Sequence, residues 1–285
     1  MGYFYLILQA VIFSFGGLLI KSAGTLFSPY LTSCLRFTLG IALLLVIQKI
    51  RQGKIHLTLT GWLIILGGVC KAVHYLGENF GVMRGFSYGG VLVWPVQTIV
   101  VFLIAVFVYH EKATFRTVAG TILCILGIGL ISWNGAPAAV FAGSGMVTLL
   151  AFVFAGIGAA LFSLAQKKLV KSMDLVEMNS SMFFYGWLVT LAVLLPTAPH
   201  VRGEVSIPAI FSMLILGAIT CVGFLLQGAA LKTVSVLAAT IIQSSTVILT
   251  IFWGVLFYGD PLTGYVICGT ILFLAGILCV NIKKQ

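Results

Sequence analysis

Apolar residues run along this chain in ten stretches separated by short polar segments. The stretches lie near residues 3–20, 30–48, 61–80, 86–108, 117–133, 145–165, 178–195, 209–230, 235–257 and 262–281. A helix that crosses a bilayer needs about 20 mostly apolar residues, so the pattern predicts an all-α membrane protein of ten transmembrane helices. The connections are too short to fold as soluble domains. Any chemistry must therefore take place inside the bilayer or at its surfaces.

The pattern also repeats. Tyr109, Glu111, Thr114, Gly120, Thr121 and Gly127 recur as Tyr258, Asp260, Thr263, Gly269, Thr270 and Gly276, each 149 residues later. This predicts two modules of five spans, residues 1–137 and 138–285, joined through the uncharged stretch Asn134 to Ser144. Because five is odd, the second module is expected to be inverted in the bilayer. Inverted repeats recur in secondary transporters, where two opposed halves enclose a midplane site that faces either side in turn.

Composition narrows the field further. The chain is 61% hydrophobic and 8% charged, with a mean hydropathy of +1.18, whereas soluble domains carry about 25% charged residues. The net charge of +10 reports orientation rather than nucleic-acid binding, because the basic residues sit singly at helix ends. With a cytoplasmic N-terminus, the inner loops and tail hold eleven of them: Lys49, Arg51, Lys54, Lys112, Arg116, Lys167, Lys168, Lys171, Lys232, Lys283 and Lys284. The outer loops hold three, Lys21, Arg84 and Arg202. That bias follows the positive-inside rule and places both termini in the cytoplasm of a multi-pass inner-membrane protein. Met1 to Leu8 carry no basic residue and no small-residue cleavage site follows, so the first span is expected to remain. The six cysteines fall within or beside spans and are expected to pack as small apolar residues.

Span three carries the most specific chemistry. Lys71, His74, Tyr75 and Glu78 fall within about a 100° arc of one helix face. A lysine near the middle of a span costs about 2.5 to 3.5 kcal/mol on insertion scales, so it is expected to face a cavity. Lys71 and Glu78 stand roughly 10 Å apart along the axis, a spacing suited to the two ends of a small zwitterion. The bland alternative is that both charges pair within the protein. His74 and Glu78, four residues apart, are a candidate proton relay. Trp94, before Pro95, is placed to stack on a substrate, and Gln97 and Gln243 lie in spans four and nine, the equivalent helices of the two modules. Arg36 reads mainly as structural. Gly77, Gly81, Gly85 and Gly89 recur every four residues and suit either close helix packing or irregular backbone.

Taken together, Pro29 with Leu35-Arg36-Phe37, Pro95, and the acidic turns Glu111 and Asp260 with their following glycines resemble the EamA branch of the drug/metabolite transporter superfamily. The resemblance covers nearly the whole chain, with departures at Ser244 and Tyr185 where the first copy has Pro95 and Arg36. It implies a ten-helix bundle of two inverted halves and movement of small metabolites, with export the direction by analogy. It leaves the substrate open. Both signs of charge on span three favour amino acids, aromatic ones included, or related zwitterions. Organic cations such as choline-like compounds and phosphorylated anions are the alternatives. No metal-ligand cluster, phosphate loop or nucleophile motif is present, so neither a cofactor nor an enzyme activity is expected, a membrane-embedded enzyme being a remote alternative. A small-molecule substrate and the lipid bilayer are the expected partners, with no nucleic acid. Proton coupling is possible and the oligomeric state is open.

Overall fold

The computed structural model describes residues 1–84, 93–108, 110, 114–133, 144–258 and 263–281. Among these, twelve helices account for the ten apolar stretches. The first stretch is α1 (Gly2–Ser14) and α2 (Gly16–Ala23), interrupted at Phe15. Then come α3 (Pro29–Gln52), α4 (Trp62–Arg84), α5 (Val93–Phe107), α6 (Phe115–Trp133), α7 (Ser144–Leu169), α8 (Leu175–Leu194) and α9 (Ile207–Leu231). The ninth stretch is divided at Ser244 and Ser245 into α10 (Val236–Gln243) and α11 (Thr246–Tyr258), and α12 (Gly264–Asn281) ends the bundle. The described residues contain no β-strand, only an isolated pairing of Phe27 with Val201.

Local chemistry explains the helix ends. Ser28 caps α3, accepting from the Leu31 amide at 3.2 Å ahead of Pro29 in the first turn, where proline's missing N–H is no loss. Asp174, Ser206 and Ser235 cap α8, α9 and α10 in the same way. Gly53 stops α3 with φ of 70°, a left-handed conformation that costs glycine little. Among the described residues, five stretches are long and apolar enough to span a membrane on their own, namely α1 with α2, α3, α7, α9, and α10 with α11. The polar residues of α4 and α8 are turned inward: Lys71, His74 and Asn79 on α4, and Asn179, Ser180, Ser181 and Thr190 on α8, are all buried.

Helix neighbours come in matched sets. α4 packs on α7 as α9 packs on α1 and α2; α4 packs on α8 as α9 packs on α3; α5 packs on α7 as α10 and α11 pack on α1. The pair α6 and α12 is its own counterpart. A Cβ on Gly127 would collide with the Gly269 carbonyl, and one on Gly269 with the Gly127 carbonyl, while Gly276 meets Gly120 and Cys124. Residue order along the contact is opposed, so these two helices are antiparallel and backbone-close, as small residues allow within a membrane.

Two connections tie the halves together. Residues between α3 and α4 fold over the start of α8: His56 Nδ1 lies 2.8 Å from Glu177 Oε1, the Thr58 amide donates to Ser181 Oγ at 3.0 Å, and Tyr185 donates to the Leu59 carbonyl at 2.6 Å. Reciprocally, residues between α8 and α9 fold over the start of α3, with the Ser28 amide donating to the His200 carbonyl at 2.8 Å and the Arg202 amide to the Leu26 carbonyl at 2.6 Å.

Of the glycine row, Gly77 and Gly81 lie within continuous helix and pack against Ala151, Ala155 and Phe152 of α7. At these two positions the glycines serve close packing. Gly85 and Gly89 lie outside the described residues, as do the acidic turns Glu111 and Asp260 and most of the inter-module stretch.

The α6–α12 contact makes a paired prediction. Gly127→Ala forces backbone apart and is expected to cost about 1 to 3 kcal/mol, the range for overpacking. Gly129→Ala, whose Cβ meets nothing within 4 Å, is expected to be neutral or slightly stabilising. Thermal midpoints of the purified variants in detergent measure the difference.

Candidate functional site

Three formal charges lie in spans away from helix ends, Arg36, Lys71 and Glu78, and all three line one cavity. α3 carries Arg36 about two turns beyond its cap, at the level where α4 presents Glu78 and Asn79. Arg36 Nη1 donates to Glu78 Oε2 at 2.8 Å and to Asn79 Oδ1 at 3.1 Å. Asn79 in turn donates to Ser33 Oγ at 2.8 Å. The guanidinium lies 3.6 Å from the centre of the Tyr75 ring, whose hydroxyl hydrogen-bonds Thr220 of α9 at 2.9 Å. Arg36 is therefore held on two sides, by charge and by an aromatic face.

Lys71 is held differently. It is 1% exposed, and no carboxylate of the described residues comes within 4.0 Å of it. Its Nζ lies 3.8 Å from the ring centre of Phe224, 4.3 Å from Tyr75 and 5.2 Å from Phe162. Its nitrogen neighbour is His74 Nδ1 at 3.4 Å. The other imidazole nitrogen, Nε2, stands 3.6 Å from Glu78 Oε2. Lys71, His74 and Glu78 thus form a chain along one face of α4, as their spacing predicts. Glu78 is committed mainly to Arg36, a partner that the spacing within span three does not reveal.

The cavity is about 50 Å³ and is also bounded by Phe13, Gly16 and Gly17 at the interruption between α1 and α2, by Trp94, and by Thr246 and Thr250 of α11. The two interrupted spans meet here. Thr250 donates to the Ser14 carbonyl at 3.2 Å, Thr246 to the Ala10 carbonyl at 3.4 Å, and Trp253 Nε1 to Ser14 Oγ at 2.9 Å. Backbone acceptors near the interruption are thereby satisfied from the neighbouring span, as membrane burial demands.

Gln97 and Gln243 are brought to a second, smaller cavity of about 10 Å³ that shares Phe13, Lys71, His74, Trp94 and Phe224 with the first. There they join a buried polar chain. Gln243 donates to Gln9 at 2.8 Å, Gln9 to Gln227 at 3.0 Å, and Gln227 to Ser163 Oγ at 2.8 Å, which also accepts from Gln97 at 3.2 Å. All seven residues read as site candidates in the sequence therefore fall on one of two adjoining cavities: Lys71, His74 and Trp94 on both, Tyr75 and Glu78 on the first, Gln97 and Gln243 on the second. Sequence reasoning understates Arg36 and misses Phe13, Phe224 and Gln9. Gln9 is a lone amide in an apolar stretch and carries the same signal as Gln97. Nothing singles out two phenylalanines among 21.

No group of three or more His, Cys, Asp or Glu among the described residues is arranged to hold a metal.

Comparison with known proteins bears on the family and the fold. A protein of Clostridium kluyveri described as an uncharacterized transporter is 24% identical over 288 aligned residues, covering 96% of this chain and 91% of that protein. A crystal structure superposes with a TM-score of 0.80 over 98% of this chain and 96% of its own, at 15% identity, and so shares the fold. The model of the EamA-like transporter family matches residues 1–133 and 146–282. The chain belongs to the EamA-like transporter family, a family of helical membrane proteins.

Proposed function

We propose that this protein is a secondary transporter of a small carboxylate-bearing metabolite, an amino acid or related zwitterion, which it moves by alternating access across the cytoplasmic membrane in the direction of export. The carrying observation is the charge balance of the cavity. Arg36 and Glu78 offset each other, while Lys71 has aromatic faces and a histidine nitrogen around it but no carboxylate of the described residues within 4.0 Å. A substrate carboxylate supplies the missing negative charge. Glu78 Oε2 serves Arg36 and His74, which leaves Oε1 to receive an ammonium. An organic cation would meet a net positive site, which disfavours that alternative.

Several observations support two inverted five-helix modules, residues 1–137 and 138–285. They are the matched helix neighbours, the antiparallel contact between Gly120–Gly127 and Gly269–Gly276, and two separate family matches. The distribution of lysine and arginine supports cytoplasmic termini. A cavity of 50 Å³ is far below the roughly 300 to 1,000 Å³ of ligand pockets, so binding requires the halves to separate at the interrupted spans.

In proteoliposome counterflow with labelled amino acids, aromatic ones included, wild type is expected to exchange substrate. Lys71→Ala is expected to lose about 10- to 100-fold in affinity, the value of a hydrogen bond to a charged group. Unchanged affinity in a folded variant refutes the assignment.

The Arg36–Glu78 pair separates fold from binding. Removing either charge leaves the other buried and unpaired, at a cost of about 3 to 5 kcal/mol. Arg36→Met with Glu78→Met is expected to be more stable than either single variant, measured by thermal midpoint, yet inactive in counterflow.

The Lys71–His74–Glu78 chain also offers a route for a proton. Coupled transport is expected to accelerate under an imposed pH gradient in wild type and to lose that response in His74→Gln. Equal wild-type rates with and without the gradient rule coupling out.

A further inference from the structure

The largest of the cavities described lies away from the charged site, between α5, α7 and α10. It holds about 340 Å³, against about 50 Å³ for the central cavity. Two kinds of surface meet in it. Lys167, Lys168 and Lys171, at and just beyond the C-terminal turn of α7, supply one side. Val101, Ala105, Leu164, Val236 and Leu237 supply apolar wall. Lys168 and Lys171 are exposed, whereas Lys167 is partly buried and donates to the Leu231 and Val234 carbonyls at 2.6 and 2.8 Å, where α9 ends.

The N-terminus of α10 opens on the same space. Ser235 caps it, accepting from the Ala238 amide at 3.2 Å, and Ser235, Val236 and Leu237 all line the cavity. The first amides of a helix have no acceptor within it, and together with the helix dipole they favour an anion, phosphate above all. Clustered lysines, a helix N-terminus and an apolar wall therefore converge on one chemistry, a phosphate joined to a hydrocarbon chain. A free anion would use the lysines and the amides but would gain nothing from the apolar wall.

We propose that this groove is a binding site for an anionic phospholipid, with the phosphate among Lys168, Lys171 and the α10 N-terminus and an acyl chain along Val101, Ala105 and Leu164. Basic pockets between helices at a membrane surface hold lipid headgroups by the same combination. The site is separate from the central cavity and independent of which metabolite is carried. Because α10 continues through Gln243 to the interruption at Ser244, a bound lipid sits on one of the two interrupted spans.

The test uses the full chain, purified in detergent, with lipid retention read by native mass spectrometry and thermal midpoint as a second readout. Phosphatidylglycerol and phosphatidylcholine with the same acyl chains are compared on wild type, on Lys168→Gln/Lys171→Gln, and on Arg51→Gln/Lys54→Gln, which removes as much charge elsewhere. Lys167 is left intact because it caps α9. Wild type is expected to retain phosphatidylglycerol in preference to phosphatidylcholine, and the Lys168/Lys171 variant to lose about tenfold or more of that retention, with the Arg51/Lys54 variant unchanged. Equal retention by all three proteins, or an equal loss in both variants, overturns the site. A further arm replaces the lipid with glycerol 3-phosphate. If the soluble phosphate stabilises wild type as much as phosphatidylglycerol does, and the effect disappears in the Lys168/Lys171 variant, the site takes a free phosphate and the lipid assignment falls.

Discussion

The arrangement of the core is governed by the need to keep Arg36, Lys71 and Glu78 inside a bilayer with little water. Each charge must be met by another charge, a hydrogen-bonding group or an aromatic face, and every such partner lies on a specific helix. Arg36 on α3 pairs with Glu78 on α4 and covers Tyr75, and Tyr75 is anchored by Thr220 on α9. Lys71 draws Phe162 of α7 and Phe224 of α9 around it. The charges thereby specify which helices surround α4 and at what depth. Replacement by apolar residues of equal volume would ease the burial of these groups. Their retention fits a site whose function needs charge.

The bundle around this centre is braced by reciprocity. The α3–α4 connection closes over the start of α8, and the α8–α9 connection over the start of α3, so each half holds the beginning of the other's second span. The glycine contacts of α6 with α12 are reciprocal in the same sense. Within this matched frame the side chains have diverged. Arg36 on α3 forms a buried ion pair, whereas Tyr185 on α8, which the sequence aligns with it, bonds the Leu59 carbonyl near the surface. The charged cavity consequently belongs to one half, with α9 and the interrupted spans supplying its remaining walls.

Much of this was legible in the sequence, and the missing parts share a cause. Ten apolar stretches located the helices, because period and length are local properties. The face of α4 carrying Lys71, His74, Tyr75 and Glu78 was legible for the same reason. The partnership of Arg36 with Glu78 was not, since it depends on how α3 and α4 register across 42 residues of chain. The same holds for Gln9, whose partners Gln227 and Gln243 are more than 200 residues away. The interruptions at Phe15 and Ser244 were also hidden. Neither contains proline; the break at Phe15 is met by α11 hydroxyls donating to the Ala10 and Ser14 carbonyls, and that at Ser244 by tightened bonds and serine hydroxyls within its own span.

The buried amide chain bears on how such a molecule changes state. Gln243, Gln9, Gln227, Ser163 and Gln97 link spans nine, one, eight, six and four directly beside the Lys71 site. Parting the halves on that side would break the three of these bonds that cross between them, Gln243–Gln9, Gln9–Gln227 and Gln97–Ser163, while Gln227–Ser163 lies within the second half. Hydrogen bonds between membrane helices average about 0.6 kcal/mol each, so the three amount to roughly 2 kcal/mol. An energy of that size keeps one state dominant while leaving the other accessible to a substrate that binds it better, because ligands shift such equilibria only by their differential affinity. Under alternating access, the amide chain is thus strong enough to hold the cavity closed on one side and weak enough for one buried carboxylate–lysine contact to offset.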